Sequence, residues 1–121
     1  MPLVHITYKP TVKVETLRNL IPVVNKVVAD QLYSGDATGH TKVKPGMVKI
    51  YFVQASELDS QTSDILVEVE GRLYDERRGK HEAYAAALGE AIAPLLTSGL
   101  TYGIWVKLCH AGWHGGLGEA A

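Results

Sequence analysis

The chain has 121 residues, 46% of them hydrophobic, a single cysteine, and twelve basic against thirteen acidic residues for a net charge of −1. That length makes one ordinary globular domain or two very small repeated units. Interspersed charges argue against a nucleic-acid partner, and no apolar run approaches the roughly 20 residues that cross a bilayer, so no membrane partner is expected. Cys109 alone cannot close an intramolecular disulfide, and the start Met1-Pro2-Leu3-Val4-His5 lacks the charged-then-apolar order of a signal peptide, so a cytoplasmic protein is expected.

Residues 3–7 read as a short strand. Then Val14, Leu17, Leu20, Ile21, Val24, Val27, Val28 and Leu32 fall at the spacing of one helix face. Pro22 lies inside that pattern and removes the backbone bond to Arg18, so a kink, or a start delayed past the first two turns, is expected. Residues 48–53 form the second predicted strand. A polar stretch without periodicity, 56–64, reads as a linker. The order then recurs: a strand over 65–70, a helix over 77–96 with Pro94 late in it, and a strand over 103–108. Laying Leu3-Val4 on Leu66-Val67 and Leu32 on Leu96 gives an offset of 63 to 64 residues with almost no shared identities, a repeat of architecture. The expected organisation is one domain over 1–121: repeat one 2–55, linker 56–64, repeat two 65–108 and a glycine-rich tail 109–121.

A strand-helix-strand unit with so long a crossover makes a parallel pair with a right-handed connection. Two such tandem β-α-β units merge into one four-stranded α+β sheet with both helices on one face. Val48, Ile50 and Phe52 would lie under the helices, leaving Lys49, Tyr51 and Val53 on a moderately apolar second face. That face calls for a partner, most simply a further copy of the chain. The tail, with Cys109, His110, Trp113 and His114 among glycines, forbids regular helix and is read as packing on a neighbour; with no fourth ligand nearby it is not read as a metal site.

Glycine-rich phosphate loops, a serine nucleophile elbow and paired-cysteine metal motifs are all missing from the sequence. What stands out is Pro2. Once Met1 is removed, its nitrogen is a secondary amine. An α-amino group titrates at about 7.7 to 8.0, and apolar walls or nearby cations lower that value. The resulting base can move a proton next to a carbonyl without a cofactor.

Met1-Pro2 before an apolar strand, Glu15-Thr16-Leu17 entering the first helix, the doubled β-α-β plan, Glu70-Gly71-Arg72 closing the third strand and Ile104-Trp105-Val106 in the fourth together resemble the tautomerase superfamily. Its members include 4-oxalocrotonate tautomerase, 5-carboxymethyl-2-hydroxymuconate isomerase, cis-3-chloroacrylic acid dehalogenase and macrophage migration inhibitory factor. The resemblance implies a homotrimer, no cofactor and a small carboxylate substrate, with Pro2 as the catalytic proline. It further implies that Lys49, Arg72 and Lys107 bind the carboxylate-bearing substrate, Lys107 from a position that carries a tyrosine in some members. Arg77 and Arg78 are alternative anion contacts. Trp105 and Tyr51 are pocket-wall or interface residues, and His5 is an interface histidine. The loop 8–13 lacks the Gly-Arg-Ser of 4-oxalocrotonate tautomerase, and the loop 71–79 is longer than usual for the family.

The function expected is a tautomerase or isomerase acting on a small keto/enol carboxylate. Alternatives are a hydratase or dehalogenase acting on a 3-carbon unsaturated acid, with Glu68, Glu70 or Asp75 activating water, and an inactive trimeric binding protein. The enzyme readings expect the Pro2 nitrogen at a pocket floor with Lys49 or Arg72 within a substrate length, whereas a buried or solvent-splayed Pro2 would count against the tautomerase reading.

Overall fold

The computed structural model describes residues 2–32, 43–60, 63–97, 99–110 and 114–120. Six main elements follow in order: β1 (Leu3–Tyr8), α1 (Val14–Leu32), β2 (Lys49–Gln54), β3 (Ile65–Arg72), α2 (His81–Ile92) and β4 (Tyr102–Cys109). Single 3-10 turns at Pro45–Met47, Asp75–Arg77 and Ala93–Leu95 punctuate the connections.

The first helix runs unbroken from Val14, so the delayed start is corrected. Leu17 N–H already bonds the Lys13 carbonyl at 3.3 Å. Pro22 is exposed, like Arg18 one turn before it, so the carbonyl left without a donor lies on the watered side of the helix. The core stripe is Leu17, Leu20, Val24, Val28 and Leu32, while Val14 and Ile21, expected on that face, are 58% and 38% exposed. The second helix is shorter than 77–96. Gly79 sits at φ 75°, a left-handed conformation that interrupts any helix begun at Arg77, and Pro94 confines the far end to a 3-10 turn.

The strand order is β2-β1-β3-β4. The outer pairs β1–β2 and β3–β4 are parallel, each closing one β-α-β unit, and the units join through an antiparallel seam from Leu3↔Glu70 to Tyr8↔Ile65. Both helices cover one face. Val4, Ile6, Val67 and Val69 share a single core with Leu17, Leu20, Val24, Leu88 and Ile92. Each fully buried side chain such as Ile6, Leu20 or Ile92 contributes roughly 1.5–3 kcal/mol, and this packing, more than helix propensity, holds α1 and α2 in place.

On the uncovered face, register lines up Lys49, Leu3, Glu70 and Lys107 in one row and Tyr51, His5, Glu68 and Trp105 in the next. Tyr51, Val53 and Trp105 there are 51%, 53% and 63% exposed. Among the described residues no helix is long and apolar enough to cross a membrane.

Candidate functional site at the head of the first strand

Pro2 precedes β1, an inner strand bounded by β2 and β3. Its carbonyl accepts the Lys49 N–H at 3.1 Å, which ties the start of β2 to it. Carrying the seam one step past Leu3↔Glu70 sets Pro2 beside Gly71, with Arg72 next along β3. Lys49 and Arg72 therefore come to the same end of the sheet as Pro2. Both are exposed, and among the described residues neither has a carboxylate partner. With strands about 4.8 Å apart and a rise of about 3.3 Å per residue, their Cα atoms stand about 12 Å apart, a gap two long side chains can close over a small anion.

The Pro2 ring is buried and follows the alternation of Val4 and Ile6, whereas Lys49 and Arg72 belong to the uncovered face. A single chain thus does not form the expected pocket floor. With Met1 attached the nitrogen is also a tertiary amide, with no N–H to donate and no amine lone pair to accept a proton. A small cavity of about 10 Å³ lies elsewhere, between helices and sheet, walled by Val28, Leu32, Tyr84, Leu88 and Val106. It has room for about one water. Burial there pushes the Tyr84 hydroxyl up, with the charge of Arg77 opposing.

The remaining sequence-derived residues separate clearly. Lys107 lies two strands from Pro2 and bonds Glu68 at 3.1 Å. Arg77 is corrected from a candidate anion contact to a buried brace. It is only 3% exposed, its Nε and Nη2 donate to the Leu32 carbonyl at 3.2 and 3.0 Å, and its Nη1 donates to the Arg72 carbonyl at 2.7 Å. Arg78 pairs with Asp75 at 3.3 Å. Of the three carboxylates considered for water activation, Glu68 and Asp75 are thus engaged. Glu70 has no partner among the described residues and sits in register with Leu3.

His5 stacks on Tyr51 with ring centroids 5.4 Å apart. Cys109 and His110 are exposed, as is His114, and among the described residues no three His, Cys, Asp or Glu side chains gather as a metal site would require. Trp113 lies outside the described residues. Sequence reasoning missed Tyr74, whose ring centroid is 5.1 Å from the Arg72 guanidinium carbon and 4.9 Å from that of Arg77. It also missed Asp64, which it placed in the linker. Asp64 accepts from the Thr101 N–H at 2.9 Å and the Thr101 hydroxyl at 3.1 Å, and these bonds hold its carboxyl below the usual range.

No protein-family model and no curated protein matches the sequence. Solved structures do match. A fused 4-OT, solved as a symmetric trimer, aligns over 95% of this chain and 94% of its own with a TM-score of 0.62 and 15% identity. The FG41 malonate semialdehyde decarboxylase inhibited by 3-bromopropiolate aligns over 97% and 91% with a TM-score of 0.61 and 15% identity. A macrophage migration inhibitory factor-like protein of Entamoeba histolytica aligns over 91% and 88% with a TM-score of 0.58 and 10% identity. At such identities the likeness establishes the architecture: an α+β domain of two β-α-β units that share one four-stranded sheet, with both helices on one face. That architecture is the tautomerase/macrophage migration inhibitory factor fold.

Proposed function

We propose that this chain is a cofactor-independent tautomerase or isomerase for a small carboxylate-bearing keto/enol substrate, with Pro2 as its general base and acid once Met1 is removed. The observation that carries this reading is the placing of Lys49 and Arg72, without carboxylate partners among the described residues, on either side of the strand that Pro2 heads. In the ketonising direction the Pro2 amine takes the enol hydroxyl proton, giving a prolinium and an enolate, and returns it to carbon; in reverse it takes the proton from the carbon beside the carbonyl and returns it to oxygen. No electrons are exchanged with any other group. Lys49 and Arg72 hold the carboxylate and stabilise the enolate charge. Lysine at position 49 supplies charge without the paired donors of a guanidinium.

The chain works as a homotrimer, its partners covering the exposed Tyr51, Val53 and Trp105 and walling the pocket that one chain leaves unformed. The trimeric state of the fused 4-OT supports this assembly. A second reading, hydration or dehalogenation with prolinium as acid, is favoured by one observation, Glu70 in register with Leu3 and without a partner among the described residues, which would activate water.

The deciding experiment begins with mass spectrometry of the mature chain, expected to show Met1 removed. The processed protein is then incubated with a 2-hydroxydienoate and with a 3-haloacrylate. Ketonisation of the dienol without halide release is the expected result. Halide release transfers the assignment to the second reading, and retention of Met1 removes both.

A further inference from the structure

Arg77 is bound twice to the region around Arg72, once through the backbone and once through a ring. We propose that Arg77 is a positioning residue, which together with Tyr74 holds the Arg72 guanidinium in place to receive a carboxylate. The inference rests on Arg72 being an anion contact of the proposed site.

The backbone link is direct. Leu32 is the last described residue of α1, and Arg77 donates two N–H groups to its carbonyl. A third N–H bonds the carbonyl of Arg72, the last residue of β3. One buried cation therefore ties a helix end, where positive charge is favoured, to the strand end that bears Arg72. Charge-assisted bonds of this kind are shorter and stronger than neutral ones.

The ring link is less expected. The guanidinium carbons of Arg72 and Arg77 both lie about 5 Å from the Tyr74 centroid, at 5.1 and 4.9 Å. Arg77 is fixed there by its hydrogen bonds. Arg72 is exposed and meets no carboxylate among the described residues, so the ring is its resting surface. Two guanidinium groups sharing one ring repel, and an arriving carboxylate relieves that repulsion. A long arginine already laid on an aromatic surface also loses less rotamer freedom when it binds. The brace reaches beneath the Pro2 end itself, since Arg77 Nη1 lies 3.8 Å from where a Cβ on Gly71 would stand.

The test uses Arg77→Lys, which keeps the charge and loses the forked donors, and Tyr74→Leu, which removes the ring. Each is compared with wild type by ¹⁵N NMR of the Arg72 Nε–H signal during titration with muconate, a dicarboxylate probe. Arg72→Ala identifies the signal, and Arg18→Lys, on the exposed side of α1, is the surface control. The expected result is an Arg72 response to muconate in wild type and in Arg18→Lys, with affinity about fivefold weaker or more in Arg77→Lys and Tyr74→Leu. Their Arg72 signal should also move toward that of a free arginine. If Arg77→Lys does not fold, Tyr74→Leu decides. An unchanged Arg72 signal and muconate affinity in a folded variant overturns the proposal, as does a wild-type Arg72 that ignores muconate. Because the signal does not depend on turnover, an inactive Pro2 with a responsive Arg72 defeats the tautomerase reading and leaves the positioning role standing.

Discussion

Where β1 finishes and β3 begins, Asp64 takes both donors of Thr101, its backbone carbonyl accepts the Lys9 N–H at 2.9 Å, and Lys9 Nζ stands 3.9 Å from its carboxylate. Where β1 begins and β3 finishes, Lys49 and Arg72 meet no carboxylate among the described residues. The antiparallel seam relates these two ends, and on an offset of 63 residues Val4 and Ile6 fall on the equally buried Val67 and Val69. On the same offset Ile65 stands where Pro2 stands, and Asp64 where Met1 does. Topology is therefore common to both ends. The difference lies in which residue precedes the strand: a carboxylate that closes one end, and at the other a residue whose removal would leave an amine among cations.

Four substitutions test that contrast. Pro2→Ala should act most strongly, lowering kcat/KM for a 2-hydroxydienoate by about 100-fold or more while the circular dichroism spectrum stays as in wild type; an unchanged rate would leave the open end without chemistry. Lys49→Glu gives the open end a carboxylate of its own. It should raise KM by about tenfold or more, the loss of one charge-assisted bond, in steady-state assays.

Asp64→Asn, conversely, opens the closed end and should lower the urea midpoint at neutral pH. The Asp64 carboxyl is held below its ordinary value of 3.8, so its stabilisation is full above 3.8 and is lost as pH falls through the lower folded value. The gap between wild type and Asp64→Asn should then close on acidification; a gap that widens in acid would contradict the assigned bonds. Lys107→Met should do least, because Glu68 already holds this lysine. It should cost under about 1 kcal/mol and leave KM for the dienoate within about twofold, as checked by urea unfolding and steady-state assay.

Much of the architecture was legible because it follows from period. The alternation of Val4 and Ile6 with Leu3 and His5, and the three-and-four spacing from Leu17 to Leu32, record which side of each element is covered, and the structure agrees. Boundaries were less legible. Arg77 read as the start of a helix because Gly79 does not reveal from sequence alone that its φ is positive. Pro22 read as an obstacle because its effect depends on which side of α1 meets water.

That Pro2, Lys49 and Arg72 come to one end of the sheet was legible through the family resemblance, and their roles belong to the proposed function. The engagement of Lys107 by Glu68, the brace from Arg77 to Leu32 and the Asp64–Thr101 bonds were not legible. Each joins residues many positions apart on different elements, and neither composition nor period encodes such pairings.

The seam has a consequence for how the chain can be cut. β1 and β3 are held side by side by their ladder, and the segment that joins the two units turns outward at Leu58, which is 96% exposed. A circular permutant opened at Leu58, with the former ends linked, should keep the four-stranded sheet, since Leu58 itself takes part in no strand pairing. The same permutant turns the Pro2 nitrogen into a permanent amide. It would therefore separate, in one molecule, what the chain needs in order to fold from what the proposed chemistry needs in order to run.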